Sequence, residues 1–146
     1  MPTRTARTAW TGTLETGSGI VELVSSDIGQ YEVSFPKRAA DSADGATSPE
    51  ELIAAAHSAC YAMQFSAVIA EAGGTPKSLD VTADVSLGAD PAGGFRLTGI
   101  ALKVVGEVEG LDEAGFKKAA EAAKASCPIS KALTGVDITL DASLAS

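Results

Sequence analysis

The stretch SPEELIAAAHSACYAMQFSAVIAEAGG, residues 48–74, decides the fold. Ser48 fits a helix N-cap, and Pro49 fits the first helical position, where a missing N–H costs nothing. Glu51 stands at N3, from which a carboxylate completes a capping box with Ser48. Gly73-Gly74 and Pro76 mark the stop. The pattern predicts one helix reaching about Ala72, roughly 35 Å long.

Its faces set the architecture. Apolar residues from Leu52 to Ala70 cover nearly every side, and a helix apolar all round is expected to be buried all round. A chain of 146 residues with a few strands can scarcely wrap such a helix alone. The economical expectation is a homodimer packing two of these helices between two sheets. The same run carries no formal charge and approaches bilayer-spanning length. His57, Ser58, Tyr61, Gln64 and Ser66 interrupt it, and the acidic flanks Glu50, Glu51 and Glu71 offer no basic anchor. No membrane span is therefore expected.

Before this helix, Ala9–Glu15, Gly19–Ser25 and Gln30–Phe35 read as short strands. Gly17-Ser18-Gly19 and Ile28-Gly29 are the turns between them. Residues 37–47 (KRAADSADGAT) read as a mobile polar loop. After the helix, Leu79–Leu87 alternates cleanly, one face wet and one dry. Phe95–Val108 is a second strand whose alternation changes phase near Thr98-Gly99, which predicts a bulge. Gly88–Gly94 is the hairpin loop between them. Asp112–Ser126 reads as a helix with Phe116, Ala119, Ala120 and Ala123 on one side. A short helix from Pro128 to Thr134 and a strand from Val136 to Asp141 close the chain. The expectation is one α+β domain over residues 1–146, an antiparallel sheet with a long central buried helix.

Composition narrows the function. Hydrophobic residues make up 45% and charged residues 21%, a globular balance. A net charge of -8, with only Arg4, Arg7 and Lys37-Arg38 as early basic residues, argues against a nucleic-acid partner. Thr3–Gly12 lacks the apolar core of a signal peptide, so a cytoplasmic protein is expected. There a pair of cysteines is either buried or redox-active, not a structural disulfide.

Cys127 precedes Pro128, a good first helical residue, and so takes an N-cap position where backbone N–H groups favour thiolate. A small buried hydrophobe reads equally well there. Cys60 sits mid-helix, where no dipole activates it. His57 lies three residues earlier on the same face, and a Cys–His pair is one route to a thiolate. Taken alone, such a pair is more often core than catalytic. Arg38 is the candidate cation, permanently charged with a rigid fork of donors, although a lone loop arginine is ordinarily just solvated. Glu51 has a capping task; Glu50 has none and is freer to orient an arginine, unless both merely favour the helix N-terminus. Glu50 and Cys60 stand about 15 Å apart along one straight helix. If both serve one site, an arginine bridges them or Glu50 comes from the other subunit, which favours a site at the dimer interface. A single His and two Cys without C-x-x-C or H-x-x-x-H spacing predict neither metal nor cofactor. No Gly-rich phosphate loop or nucleophile elbow is present.

The stretch Thr47–Cys60 (TSPEELIAAAHSAC) resembles the central helix motif of the osmotically inducible protein C (OsmC) family. Ala122–Ser130 (AAKASCPIS) resembles the second cysteine motif of that family, and Thr82–Leu87 and Val136–Asp141 resemble its strands. The resemblance covers essentially the whole chain. It implies an intertwined homodimer with active sites at the interface, reducing organic hydroperoxides and, less efficiently, hydrogen peroxide in stress defence. It makes Cys60 the peroxidatic and Cys127 the resolving cysteine, forming an intramolecular disulfide. Arg38 matches the family arginine, and Glu50 the glutamate that pairs with it. His57 favours the OsmC branch over the sister organic hydroperoxide resistance branch, which usually has an aromatic there. A dithiol reductant of dihydrolipoyl type is implied as partner. The alternative is a redox-sensing or ligand-binding dimer without turnover. Local physics and the resemblance part on one point: the N-cap argument makes Cys127 the better thiolate, while the resemblance gives Cys60 the first attack.

Overall fold

The computed structural model describes residues 1–145, and the chain divides into two units, Met1–Leu52 and a second that begins at Ile53. In the first unit β1 (Arg7–Thr11), β2 (Ser18–Glu22) and β3 (Gln30–Val33) form an antiparallel meander. The strands end sooner than the sequence suggests because turn geometry takes over. Gly12 has φ 99, and a Cβ on Gly17 would run into the carbonyl oxygens of Thr11 and Thr13. That crossing needs glycine.

Residues 35–39 correct the loop expected from Lys37 onward. They form α1 (Phe35–Ala39). Ser34 is extended (φ -152, ψ 153), its hydroxyl accepts from the Lys37 N–H, and Pro36 lies in the first turn. The start signal is therefore Ser34 and Pro36, ahead of the polar run. Arg38 thereby gains a fixed backbone.

The long helix, α2 (Pro49–Glu71), starts and stops where its signals lie. Ser48 Oγ accepts from the Glu51 N–H at 3.1 Å. The Glu51 carboxylate differs from the expected capping box: it accepts from the Thr47 hydroxyl at 2.7 Å. Gly73 takes φ 88 just past the last turn.

The second unit continues with β4 (Thr75–Ala89), β5 (Phe95–Glu109), α3 (Glu113–Ser126), α4 (Pro128–Ala132) and β6 (Ile138–Leu144). The sheet order is β4-β5-β6. β4 and β5 form a long antiparallel hairpin turned by Gly93 and Gly94, both with positive φ. Ser86 pairs with Gly99 and Leu87 with Leu97, so Thr98 is the extra residue of the anticipated bulge. The single antiparallel sheet is corrected on two counts. There are two three-stranded sheets, and β6 runs parallel to β5. The helices between β5 and β6 form a crossover, and a crossover returns the chain in the same direction.

Tyr61, Phe65 and Ile69 of α2 pack with Ile100, Leu102 and Val104 of β5 and Phe116, Ala119, Ala120 and Ala123 of α3. The Phe65 ring centroid lies 5.5 Å from that of Tyr61 and 5.1 Å from that of Phe116, both tilted. Gly106 of β5 makes room for Phe116: a Cβ there would come within 2.6 Å of its ring.

The expectation that α2 is buried all round is corrected for the single chain. His57, Tyr61, Phe65 and Ile69, four residues apart, form one fully buried stripe. Ala56, Ala59, Met63, Ala67 and Ala70 form the opposite stripe and are exposed, Met63 at 73%. By length and composition α2 could cross a membrane, a test that the core helix of a soluble protein also passes.

Candidate active site

Two of the candidate residues meet in the second unit. Cys60, in the middle of α2, and Cys127, between α3 and α4, bring their Sγ atoms to 3.2 Å. Both are free thiols. Cys60 is half-buried, and Cys127 is wholly buried.

Their protonation is unequal. Burial pushes the Cys60 thiol up; the Ile129 N–H counters this, while the neighbouring Cys127 sulfur raises it further, and the net shift is upward. Burial also pushes Cys127 up. There the Ser130 N–H, the Cys60 thiol, the Ser130 hydroxyl and the Ile129 N–H outweigh it, and the net shift is downward. The two sulfurs thus share a site in which Cys127 is the better anion. The N-cap argument reached the same order. The cause is the proximity of polar N–H and O–H groups in the first turn of α4, since a five-residue helix has little macrodipole.

His57 does not pair with Cys60 as the spacing allowed. Its Nε2 lies 2.7 Å from Ser130 Oγ, and its Nδ1 has no hydrogen-bond partner. Both residues are buried, and burial lowers the His57 pKa, which keeps the ring neutral. Ser130 escaped the sequence reading. Its position three residues after an N-cap cysteine, at N3 of α4, was the available signal. Nearby, Tyr61 donates to the Ala120 carbonyl at 3.0 Å and Gln64 to Ser126 Oγ at 3.0 Å, which ties α2 to α3 around the cysteines.

The other two candidates meet in the first unit. Arg38 Nε lies 3.1 Å from both carboxylate oxygens of Glu50, and Nη2 lies 2.7 Å from Oε1. Glu50 is buried. Burial pushes its carboxyl up, but the Arg38 hydrogen bonds prevail and hold it below the usual range. The same bonds raise Arg38. A forked pair of this kind fixes the guanidinium plane and leaves Nη1 free of the carboxylate. Beside it lies a cavity of about 130 Å³ whose walls include Trp10, Leu14, Val33, Phe35 and Pro49. Among the described residues, no three of His, Cys, Asp and Glu cluster as metal ligands.

Two unequal thiols in contact are the parts of a thiol redox site, and the comparisons with known proteins agree. A family model described as "OsmC-like protein" matches residues 41–141, which include both cysteine motifs. Peroxiredoxin OsmC of Escherichia coli is 44% identical over 94% of this chain and 93% of its own. Organic hydroperoxide resistance protein OhrA of Bacillus subtilis is 35% identical over 82% and 85%. Among solved structures, an organic hydroperoxide resistance protein OsmC from Legionella pneumophila superposes with a TM-score of 0.78 at 29% identity, covering 98% of each chain. OhrB of Bacillus subtilis does so at 0.74 and 27%, covering 94% and 97%. With sequence motifs, fold and relatives in agreement, this chain belongs to the OsmC-like protein family.

Proposed function

We propose that this peroxidase reduces organic hydroperoxides, and hydrogen peroxide less efficiently, through a Cys60 sulfenic acid and a Cys60–Cys127 disulfide. Peroxidase chemistry follows from kinship with a peroxiredoxin and with hydroperoxide resistance proteins, as does a place in stress defence. The observation that carries the finer reading is the 3.2 Å contact between the two sulfurs. A disulfide needs about 2.05 Å, so bond formation asks for an approach of only about 1.2 Å.

Accessibility supports the order of events. Cys127 is the better anion but is sealed from solvent, whereas Cys60 is only half-buried. A peroxide entering from solvent meets Cys60 first. The Cys60 thiolate attacks the distal oxygen of ROOH; the O–O bond breaks and the alkoxide leaves as ROH with a proton. Cys127 attacks the resulting sulfenic sulfur, and the S–O bond breaks with release of water. A dithiol of dihydrolipoyl type then reopens the disulfide by exchange. The family resemblance gives Arg38, oriented by Glu50, the role of the activating cation. The apolar walls beside Arg38 suit an alkyl group.

The reading extends to a cytoplasmic homodimer. The exposed apolar stripe of α2, from Ala56 to Ala70 through Met63, is the surface a second copy would cover. The decisive test is dithiol-dependent turnover of cumene hydroperoxide by wild type and by Cys60→Ser. Loss of turnover in the variant is expected, and unchanged turnover overturns the assignment. Stoichiometric oxidation with no turnover in wild type favours the sensor alternative.

A further inference from the structure

Cys60 and Cys127 are not the only pair that joins α2 to the start of α4. His57 stands three residues before Cys60 on α2, and Ser130 stands three residues after Cys127, the N-cap of α4. His57 Nε2 lies 2.7 Å from Ser130 Oγ, and the two sulfurs lie 3.2 Å apart. The equal spacing makes the two contacts neighbouring rungs, about 4.5 Å apart along α2. Both segments are stiff between the rungs. α2 is continuous helix, and the Lys131 N–H donates to the Cys127 carbonyl at 3.0 Å, closing the turn that holds both Cys127 and Ser130. Where Ser130 sits against His57 therefore governs where Cys127 sits against Cys60.

His57 and Ser130 are both buried, and His57 Nδ1 has no hydrogen-bond partner. A buried N–H without an acceptor costs more than a bare lone pair, so the ring proton belongs on Nε2, and His57 donates to Ser130 Oγ. Apolar side chains at both positions would avoid the orphaned nitrogen. Apolar packing is non-directional, though, and leaves two helices free to slide or roll. A hydrogen bond between two short side chains holds one distance and one orientation, and it is stronger in a low-dielectric core than in water. Among the described residues this is the one hydrogen bond between a side chain of α2 and a side chain of α4. Tyr61 and Gln64 tie α2 to α3 instead.

We propose that the His57–Ser130 hydrogen bond is a buried bracket that sets the spacing of Cys60 and Cys127, and so speeds formation of their disulfide and strengthens it. Both are positioning residues: they act through the backbone of the two turns, and neither side chain needs to touch a sulfur. When Cys127 attacks the Cys60 sulfenic acid, its electron pair forms the S–S bond, the S–O bond breaks, and hydroxide leaves as water with a proton from solvent. A misplacement of about 1 Å can cost such a step about a hundredfold. The benefit to that step rests on the peroxidase reading; the effect on the thiol–disulfide equilibrium does not.

The test equilibrates the full-length chain with fixed ratios of reduced and oxidised dithiothreitol, then measures the disulfide fraction by mass spectrometry after acid quench and alkylation in denaturant. Two electrons and two protons pass between the protein pair and the reagent, and no peroxide is involved. Ser130→Ala and His57→Leu are expected to lower the effective concentration of one thiol at the other about tenfold, which moves the disulfide potential about 30 mV less negative. His57→Gln can place an amide N–H where Nε2–H stood, and it is expected to recover most of that shift. Gly106→Ala, which disturbs the core at Phe116 and not the bracket, should keep the wild-type potential. An unchanged potential in Ser130→Ala overturns the bracket. So does a shift to more negative values, the sign expected if Ser130 only stabilised a Cys127 thiolate. Identical behaviour of His57→Leu and His57→Gln, or an equal shift in Gly106→Ala, overturns it too. None of these results bears on whether Cys60→Ser loses peroxidase turnover, so the two readings fail separately.

Discussion

Cys60 and Cys127, 67 residues apart in the chain, hold their sulfur atoms 3.2 Å from each other. α2 presents one and the α3–α4 junction presents the other, and Tyr61 and Gln64 bind those elements on either side. The pair needs little motion to become a disulfide. Cys127→Ser should therefore stop after one oxidation, leaving a Cys60 sulfenic acid that a dimedone-type probe traps by mass spectrometry. Continued turnover in that variant would exclude Cys127 as the resolving thiol.

The same contact sets a pH dependence. Burial raises Cys60, and the Cys127 sulfur raises it further. Removing that sulfur takes away an anionic neighbour, so the Cys60 pKa falls. In single-turnover oxidation, the pH–rate profile of Cys127→Ser should lie to the acid side of wild type.

Arg38 and Glu50 make a separate prediction. Glu50 is held below its ordinary pKa in the folded state. A depressed carboxylate contributes stability above its unfolded pKa of about 4.3 and loses it as pH falls through the folded value. Glu50→Gln should flatten the acid limb of thermal stability below about pH 5. Arg38→Ala should lower kcat/KM for an organic hydroperoxide by about a hundredfold if the guanidinium stabilises the reacting thiolate. A change below about twofold would remove Arg38 from the mechanism.

Gly106 tests the core. A methyl group there meets the Phe116 ring at 2.6 Å and Leu79 Cδ2 at 3.0 Å. Gly106→Ala should cost about 1–3 kcal/mol in urea unfolding, because the fully buried Phe116 ring, packed against Phe65, has to shift to admit the methyl group.

Met63 tests the dimer. At 73% exposure it stands at the centre of the open apolar stripe of α2. Light scattering at micromolar concentration should report a dimer for wild type, and Met63→Glu should shift it toward monomer. A monomeric wild type would refute the proposed assembly.

Much of this protein is local, and the local part was legible. Ser48-Pro49 and Gly73-Gly74 bounded α2, and the spacing of Phe116, Ala119, Ala120 and Ala123 picked out the buried face of α3. The broken alternation at Thr98-Gly99 announced the bulge. Even the order of the two thiols followed from Pro128 and the free N–H groups behind it. Each of these is a property of a few consecutive residues: a cap, a period, a turn.

The remainder is non-local, and only the tertiary structure decided it. Nothing in the alternation of Val136–Asp141 tells a parallel from an antiparallel neighbour, because both bury alternate residues; the crossover through α3 and α4 made β6 parallel. An apolar run alone could not reveal which stripe of α2 the chain itself covers. His57 and Ser130 were ordinary until folding closed 73 residues of chain and brought them to 2.7 Å. The sequence determined which elements form, because capping and periodicity act within a turn or two. The tertiary structure decided which thiol is sheltered and which hydroxyl meets the histidine, because those depend on packing between distant segments.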